Sequence, residues 1–400
     1  MKTAVLAYSG GLDTSCMIAW LKELYGYDEV VAVLVDVGQD TDFEPAFARG
    51  AAAGADDVLL VDRKQAFADE QVAKALQANA LYEGKYPLVS ALSRPVIAEA
   101  VAEIALDLGA EAVAHGCTGK GNDQVRFELA FKARFPGVKV IAPLRDRVWT
   151  RDEEIVYAQA RGIPVEATKT SPYSIDDNLF GRAIEAGVLE DPWAAPPEDA
   201  FVLTGSPARA PKPQEVVIGF ESGIPVALHD EELPLHELIA SLNELAGPYG
   251  IGRIDMVENR SVGIKSRELY EAPAAMALIA AHQALEDLVL TKGEAVAKRE
   301  LEPKWAKLVY DGFWFSPVRE AYDAFFAKTQ ELVSGDVRLR LQAAAATVVG
   351  RRSPHALYAE TLASYATGET FPHAAAEGFI ALAALETELV AARERRLTAV

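Results

Sequence analysis

The sequence has few cysteines and no long apolar run. Cys16 and Cys117 are the only two cysteines among 400 residues. They lie far apart, so the chain has neither a disulfide framework nor the ligand spacing of a zinc site. The absence of any uninterrupted apolar stretch of about 18 residues argues against a transmembrane helix. Because Met1-Lys2-Thr3 leads into an apolar segment without a signal-peptide cleavage pattern, we expect a cytoplasmic protein.

Positive charge is also scarce, with 39 Lys and Arg against 59 Asp and Glu and a formal net charge of −20. Such an acidic excess disfavours binding to nucleic acid or to an anionic membrane. It does not disfavour a small anionic ligand, because the field inside a pocket depends on a few residues and helix ends. Half of the residues are hydrophobic, there is no internal repeat, and the length indicates about two or three domains.

A glycine-rich turn near the N-terminus lies between a predicted strand and a predicted helix. Its two glycines allow a tight turn and close approach to a ligand, and any of Asp13, Thr14 and Ser15 is a suitable helix cap. The N–H groups and positive dipole at the start of a helix favour phosphate binding. The turn consists of Ala7, Tyr8, Ser9, Gly10, Gly11, Leu12, Asp13, Thr14 and Ser15.

This turn contains neither the Walker pattern nor Gly-x-Gly-x-x-Gly. Its form, Ser-Gly-Gly-x-Asp-x-Ser, resembles the signature of the N-type ATP pyrophosphatases. Those enzymes cleave ATP between the α- and β-phosphates and leave AMP on a substrate oxygen. The alternative is a well-capped helix after a buried strand, but the glycine pair flanked by Ser9 and Asp13 favours phosphate binding.

Residues 1 to about 168 alternate between strand and helix patterns. This alternation predicts an α/β, Rossmann-like domain with a parallel sheet. Ligands bind such sheets at the carboxyl ends of the strands, near a topological switch point. The predicted strands are Thr3–Ala7, Val30–Val35, Val58–Val61, Ala112–His115 and Val138–Ala142, and two predicted helices are Pro95–Leu108, with Pro95 in its first turn, and Gln124–Arg134.

The rest of the chain predicts an α+β domain and a terminal helix. Lys169–Pro213 is rich in proline and reads as an irregular crossover. We expect domains at 1–168 for ATP binding, 169–365 for synthesis and multimerisation, and 366–400 for oligomerisation. The predicted elements are hairpins at Val216–Phe220 with Pro225–His229 and at Asp336–Leu341 with Thr347–Gly350, and helices at Leu235–Ala246, Ala274–Leu290 and Glu377–Arg396. The last helix has a stripe of Leu382, Leu385 and Leu389 that packs either on its own domain or on a neighbouring subunit.

A second polar cluster follows the fourth predicted strand, between His115 and Glu128. Three glycines open its backbone, and a hydroxyl, an ammonium, an amide, a carboxylate and a guanidinium surround them. Such mixed partners suit a small zwitterion, which carries both a carboxylate and an ammonium. The alternative, a loop whose helix is capped by Asp123, accounts for that residue alone. The five side chains are Thr118, Lys120, Asn122, Asp123 and Arg126.

The two clusters together resemble those of the argininosuccinate synthases, and other short motifs of that family occur in order along nearly the whole chain. The resemblance implies that the ureido oxygen of citrulline attacks the α-phosphorus of ATP, giving citrullyl-AMP and pyrophosphate. The amine of aspartate then displaces AMP. The further motifs are Asp36-Val37-Gly38-Gln39, Tyr82-Glu83-Gly84-Lys85-Tyr86, Ser93-Arg94-Pro95, Pro172-Tyr173-Ser174, Gly187–Trp193, Val257-Glu258-Asn259-Arg260 and Lys265-Ser266-Arg267 with Tyr270-Glu271.

The resemblance also implies which residues bind each substrate. ATP would be held by Ala7–Ser15, by the backbone of Val35 and by Gly116. Aspartate would be held by Thr118, Asn122 and Asp123, and Asp123 is the candidate catalytic residue. Citrulline would contact Tyr86, Ser90, Asn122, Arg126, Ser174, Glu258 and Tyr270, with Arg126 suited to a bidentate carboxylate contact. Mg²⁺ would arrive with ATP and keep several waters, and the family is typically homotetrameric.

Some positions depart from the family pattern or have simpler interpretations. Many members have serine where this chain has Ala91 and Ala183, and Ser90 compensates for the first in our interpretation. Cys117 is interpreted as a packing residue and His115 as structural. Without the resemblance, Tyr86 and Tyr270 would be half-buried aromatics and Glu258 a surface charge. Two other functions remain open: a different adenylating enzyme, which would need a sulfur or ammonia supply, and a nucleotide-binding sensor without turnover.

Overall fold

The alternating segments at the N-terminus form the predicted parallel sheet, and the structure gives its strand order as β3-β2-β1-β4-β5. β1 lies between β2 and β4, so the chain leaves β1 in one direction and later returns to its other side. That reversal makes the carboxyl ends of β1 and β4 the topological switch point. The strands are β1 (Thr3–Ala7), β2 (Glu29–Asp36), β3 (Asp57–Asp62), β4 (Ala112–Ala114) and β5 (Lys139–Ile141).

The computed structural model describes residues 1–147, 149–164, 173–364 and 372–398. Contacts divide the chain into two compact units, Met1–His355 and Ala356–Val400. The predicted domain boundaries near residues 168 and 365 both fall outside the described residues, as does Pro172. The site discussed below lies entirely within the first unit.

Two helix starts in the first unit differ from the sequence-based expectation. α1 begins at Leu12 after Gly11, with no side-chain cap, so the capping roles expected for Asp13, Thr14 and Ser15 are wrong. α5 begins at Val89, so Pro95 lies inside the helix and not in its first turn. The helices up to residue 160 are α1 (Leu12–Glu23), α2 (Glu44–Ala52), α3 (Lys64–Ala66), α4 (Ala73–Gln77), α5 (Val89–Asp107), α6 (Asp123–Arg134), α7 (Pro143–Asp146) and α8 (Arg151–Ala160), with a π-helical segment over Phe67–Val72.

The segment after residue 173 contains two strands where we predicted an irregular crossover. β6 has the polar sequence Ser-Ile-Asp-Asp-Asn, which lacks the apolar alternation of a half-buried strand. It forms because β7 pairs with it along its whole length. The strands that follow are β6 (Ser174–Asn178), β7 (Gly181–Glu185), β8 (Gln214–Glu221), β9 (Ile224–Leu228), β10 (Glu231–Glu232), β11 (Arg253–Asn259), β12 (Lys265–Glu271), β13 (Gly335–Gln342) and β14 (Ala345–Arg352).

These strands form two antiparallel sheets, in the orders β11-β12-β7-β6 and β10-β9-β8-β13-β14. Both predicted hairpins are present, at β8–β9 and β13–β14. The helices that follow are α9 (Leu235–Ala246), α10 (Pro273–Val289), α11 (Lys292–Tyr310) and α12 (Pro317–Gln330). α9 has the predicted bounds because its apolar residues Leu235, Leu238, Ile239 and Leu242 recur at helical spacing and are buried.

The second unit contains α13 (Glu360–Ala363) and α14 (Ala375–Thr398). The predicted terminal helix is therefore present. Within that unit its leucine stripe is exposed, with Leu382, Leu385 and Leu389 at 73%, 53% and 69% of their full exposure. In the described parts of both units, no helix is long and apolar enough to cross a membrane.

Candidate active site

The glycine-rich turn after β1 is held in a fixed shape against α2. Gly10 has φ of +76°, and a Cβ at this position would lie 2.5 Å from the Cβ of Ala46. Only glycine fits such a left-handed and crowded position. The Nε of Arg49 donates a 2.6 Å hydrogen bond to the carbonyl of Gly10, and the hydroxyls of Ser9 and Thr14 lie 3.0 Å apart. The turn is therefore rigid before any ligand binds.

A cavity of about 340 Å³ lies at the carboxyl ends of β1, β2 and β4, and we call it the first cavity. Its position is the one expected for a ligand at the switch point of a parallel sheet. Gly116 approaches the turn across this point, since a Cβ there would lie 2.8 Å from the Cγ2 of Thr14. The residues that line the first cavity include Ala7, Tyr8, Ser9, Thr14, Leu34, Val35, Val37, Gln39, Thr41, Phe43, Ile97, His115, Gly116, Cys117 and Phe127.

The predicted ATP-binding residues divide into those that line this cavity and those that support the turn. Ala7, Tyr8, Ser9, Thr14, Val35 and Gly116 line it. Gly10, Gly11, Leu12, Asp13 and Ser15 do not belong to its lining. The hydroxyl of Ser15 is buried and donates to the carbonyl of Gly11 at 2.7 Å, and Leu12 packs against the hydrophobic cluster beneath the turn.

A second cavity, also of about 340 Å³, adjoins the first. All the residues predicted for citrulline line it: Tyr86, Ser90, Asn122, Arg126, Ser174, Glu258 and Tyr270. Of the residues predicted for aspartate, Asn122 and Asp123 line it, whereas Thr118 is exposed and belongs to neither lining. Six residues belong to both linings and form what we call the shared wall: Ser9, Arg94, Gly116, Asp123, Ile175 and Asp176.

An ion-pair network crosses the shared wall. The Nη2 of Arg94 lies 2.8 Å from both Asp123 Oδ2 and Asp176 Oδ2. On the other side, the Nη1 of Arg126 donates to Asp123 Oδ1 at 2.7 Å. Burial acts to raise the pKa of Asp123, but the charges of Arg94 and Arg126 outweigh it and lower the pKa to about 2. Asp123 is therefore a fixed carboxylate that joins α6 to α5.

Arg126 has one nitrogen left for a ligand. Its Nε donates to the carbonyl of Tyr310 at 2.9 Å, and its Nη1 is bonded to Asp123. Its Nη2 is buried and has no hydrogen-bond partner among the described residues. A buried donor without a partner costs free energy, so this nitrogen is positioned for an anionic group in the second cavity. A guanidinium has five N–H donors, so both hydrogens of Nη2 and the second hydrogen of Nη1 are not used in these two bonds, and the bidentate contact stays a prediction.

Two tyrosine hydroxyls bind the carboxylate of Glu258, and a third tyrosine ring packs beside them. Tyr310 donates to its Oε1 at 2.5 Å and Tyr270 to its Oε2 at 2.7 Å. The ring of Tyr86 stacks on that of Tyr270 with centroids 4.2 Å apart. Glu258 is 3% exposed, and Tyr86 and Tyr270 are each 2% exposed, so Glu258 is not a surface charge and the two tyrosines are fully buried, not half-buried. Burial raises the pKa of Glu258, although both hydroxyl hydrogen bonds act to lower it.

Asn122 joins three elements at the floor of the second cavity. Its Nδ2 donates to the hydroxyl of Tyr310 at 2.9 Å, and its Oδ1 accepts from the N–H of Ser261 at 2.9 Å. The side chain thus holds α11 and the loop after β11 together. One N–H of the amide remains for a substrate, because an amide has two donors.

The two alanine positions that depart from the family pattern differ in location. Ala91 is fully buried in the core, whereas Ala183 lines the second cavity. Ser90 lines that cavity too, and its N–H donates to the hydroxyl of Tyr86 at 2.9 Å. Ser90 is therefore part of the wall of the second cavity, and its compensating role stays a prediction.

An acidic cluster surrounds Arg260 on the far side of the second cavity. The Nη2 of Arg260 bonds Glu185 and lies 2.7 Å from Glu268 Oε1. Burial, together with the charges of Glu185 and Glu258, raises the pKa of Glu268 to about 8, although Arg260 acts to lower it. The second cavity therefore contains a carboxyl group, that of Glu268, that holds its proton more strongly than a free glutamate does.

His115 and Cys117 are both placed as expected for structural residues. The Nδ1 of His115 accepts from the N–H of Cys117 at 3.2 Å, and the ring stacks on Phe127. Burial raises the pKa of the Cys117 thiol, which disfavours the reactive thiolate.

Sequence reasoning missed several side chains of the site. Arg94 was noticed only as part of a short motif, and Asp176 lies in a strand that was not predicted. Tyr310 gave no signal at all, because it lies 52 positions after Glu258, at the end of α11. Hydroxyl donors to a buried carboxylate have no sequence spacing that would identify them.

Comparisons with known proteins match the chain over both halves. A family model described as the arginosuccinate synthase N-terminal HUP domain matches residues 3–164. One described as the arginosuccinate synthase C-terminal domain matches residues 173–390. A relative named argininosuccinate synthase from Halalkalibacterium halodurans is 54% identical, over 97% of this chain and 95% of the relative. Relatives of the same name are 55% identical in Brevibacillus brevis, over 97% of this chain and 92% of the relative, and 51% identical in Gloeobacter violaceus, over 98% of both chains.

Proposed function

The chain belongs to the argininosuccinate synthase family and is therefore an ATP-using ligase of arginine biosynthesis; from this premise we propose how its two cavities divide the reaction. ATP binds in the first cavity, with its phosphates along the Ala7–Ser15 turn. Citrulline and aspartate bind in the second. The observation that carries the proposal is the shared wall, since Ser9, Gly116 and Asp123 face both cavities.

In the first step of the proposed reaction, the ureido oxygen of citrulline attacks the α-phosphorus of ATP. The bond to the β-phosphate breaks, and pyrophosphate leaves with the electron pair. In the second step, the amine of aspartate adds to the activated carbon and AMP leaves with the former ureido oxygen. Such chemistry depends on positioning and on neutralising charge more than on a protein nucleophile.

The residues of the second cavity fit a zwitterionic amino acid with a polar end group. The free Nη2 of Arg126 would bind a carboxylate of citrulline, and the carboxylate of Glu258 would accept an N–H. Ser90, Ser174, Tyr86 and Tyr270 complete that wall. Aspartate would lie nearer Asn122 and Asp123, with the hydroxyl of Thr118 as a further contact.

Mg²⁺ would enter with ATP as part of the substrate and keep most of its waters. We further propose a cytoplasmic homotetramer in which the leucine stripe of α14 contributes to a subunit interface. Exposed leucines at 73%, 53% and 69% on one helix support a partner for that face.

The experiment is a product assay with citrulline that carries ¹⁸O in its ureido group. The expected products from ATP, this citrulline and aspartate are argininosuccinate, pyrophosphate and AMP, with the label in the AMP. Formation of ADP, or unlabelled AMP, would contradict the proposal. Label in AMP with no need for aspartate would instead indicate a different adenylating enzyme.

A further inference from the structure

The edge of β2 continues past the end of β1 and leaves backbone groups facing the first cavity. The N–H of Tyr8 donates to the carbonyl of Val33 at 2.9 Å on the β1 side, while the N–H of Arg63 donates to the carbonyl of Asp36 at 2.8 Å on the β3 side. Alternate residues of a strand face alternate sides. The N–H and carbonyl of Val35 therefore face the β1 side, beyond the point where β1 ends, and Val35 lines the first cavity.

The side chain of Gln39 takes the place of the missing neighbour strand. Its Nε2 donates to the carbonyl of Val35 at 2.9 Å, and its Oε1 accepts from the N–H of Val37 at 2.8 Å. One carboxamide thus satisfies two successive backbone groups of this edge, as a paired strand would. Gln39 itself lines the first cavity.

The backbone that presents Gln39 is fixed from other directions as well. The carbonyl of Val37 accepts from the N–H of Leu179 at 2.9 Å. Gly38 has φ of +86°, and a Cβ there would lie 2.7 Å from the Cβ of Leu179. Asp36 accepts from the N–H of Gly38 at 2.9 Å and from Lys64 at 2.6 Å. The amide of Gln39 therefore returns to the strand edge from a rigid loop, not from a mobile one.

The N–H and carbonyl of Val35 match the Watson–Crick edge of adenine. That edge has an acceptor at N1 beside a donor at the 6-amino group, which fits an N–H beside a carbonyl. Hypoxanthine and guanine have the reverse order, with a donor at N1 and an acceptor at O6. The carbonyl of Val35 has two lone pairs, so it can accept from Gln39 and from the base at the same time.

We propose that Gln39 is a positioning residue for adenine recognition: it holds the Val35–Val37 edge so that the Val35 N–H and carbonyl select adenine over 6-oxopurines. This proposal rests on the proposed binding of ATP in the first cavity. It assigns a role to the fourth residue of the Asp-Val-Gly-Gln motif, whose side chain touches the backbone and not the reacting phosphate. The selectivity resides in backbone groups, and Gln39 fixes their direction.

The test measures nucleotide affinity directly, by calorimetric titration with Mg²⁺-ATP and with Mg²⁺-inosine triphosphate in the absence of citrulline and aspartate. The variant is Gln39→Met, which keeps the length of the side chain and removes both hydrogen bonds. The Kd for ATP is expected to rise about tenfold. The Kd for inosine triphosphate should stay within about twofold of the wild-type value, because that base does not use the edge that Gln39 holds.

The matched control is Gln77→Met, since Gln77 donates to the carbonyl of Ser222 at 3.0 Å and lines neither cavity. It should leave both Kd values unchanged. If Gln39→Met does not fold, Gln39→Glu replaces it, because a carboxylate keeps the acceptor for Val37 and loses the donor for Val35.

Unchanged ATP binding by Gln39→Met would overturn the proposal, because the side chain would then not contribute to ATP affinity. Tighter ATP binding would overturn it as well, because the side chain would then compete with adenine. An equal loss for both nucleotides would overturn it too, because the effect would not act on the base. If the wild type bound ATP normally but formed no argininosuccinate, the proposed reaction would be refuted. The effect of Gln39→Met on nucleotide affinity could still be measured.

Discussion

Arg94 and Asp123 form an ion pair in the wall between the two cavities, with Arg94 Nε and Nη2 at 2.9 and 2.8 Å from the same carboxylate oxygen. Arg126 bonds the other oxygen. The carboxylate is therefore shared by two guanidinium groups, and its side chain is still 28% exposed toward the cavities. A substrate ammonium bound here would be the third cation at the carboxylate of Asp123, after Arg94 and Arg126. The carboxylate of Asp176 lies nearby as a second anion.

Asp123→Asn should abolish argininosuccinate formation while the Kd for ATP changes by less than about threefold. The amide cannot neutralise Arg94 and Arg126, so the substrates in the second cavity lose their charge arrangement and the protein loses about 2 kcal/mol of stability. Product assays, ATP titration and urea unfolding measure the three effects. Asp336→Asn, which removes an exposed partner of Arg352, is the control. Loss of ATP binding equal to the loss of activity would contradict the placement of Asp123 on the amino-acid side.

Gly116→Ala should raise KM for ATP about tenfold or more, because its new methyl group would lie 2.8 Å from Thr14 Cγ2 and push the turn away from β4. Gly119→Ala is the control in the same loop, since the nearest atom to its methyl group would be Arg145 Cγ at 3.7 Å, an ordinary contact. Steady-state kinetics with ATP as the varied substrate distinguish the two variants. Equal KM values for both would show that the loop moves freely.

Tyr310→Phe should raise KM for citrulline about tenfold and leave KM for ATP unchanged. The change removes the 2.5 Å hydrogen bond to Glu258 and the acceptor for Asn122. A lost hydrogen bond to a charged group costs about 1.5–3 kcal/mol, part of which should appear as reduced stability. Tyr322→Phe, on α12, is the matched control. If citrulline kinetics were normal in a destabilised Tyr310→Phe, the carboxylate of Glu258 would not be in the substrate site.

Glu268 should make the protein less stable as the pH rises toward 8. Its pKa is raised from 4.5 to about 8 in the folded protein. Between these two pH values the folded state therefore binds more protons than the unfolded chain, so the free energy of unfolding falls with rising pH. Between pH 6 and 9 the wild type should lose about 1–3 kcal/mol more than Glu268→Gln does. Urea unfolding at both pH values measures this, with the exposed Glu237→Gln as control. Parallel pH curves for wild type and Glu268→Gln would refute the raised pKa.

The parallel sheet and its ligand end were predictable because they depend on local patterns. β1 to β5 are short apolar runs between helices, and the glycine-rich turn marks the point where β1 meets α1. The fold class follows from that alternation and is confirmed. Leu235–Ala246 was predictable to the residue for the same reason, since its buried face has helical spacing.

What could not be predicted depends on contacts between distant segments. β6 has no apolar pattern and exists because β7 pairs with it. Tyr310, at the end of α11, reaches Glu258 of β11 only in the folded chain. Arg126 shows the same limit: its residue type suggested a carboxylate contact, but not that its Nε and Nη1 would bond the carbonyl of Tyr310 and the carboxylate of Asp123.

The shared wall has a thermodynamic consequence for the order in which substrates bind. Arg94, Asp123 and Asp176 line both cavities, so a ligand bound in one cavity would lie beside side chains that also line the other. If bound ATP changes the affinity for citrulline by some factor, thermodynamic linkage requires that bound citrulline change the affinity for ATP by the same factor. Random-order and ordered binding of the two substrates would then differ only in their rate constants. The total binding free energy is the same along either route of the closed thermodynamic cycle.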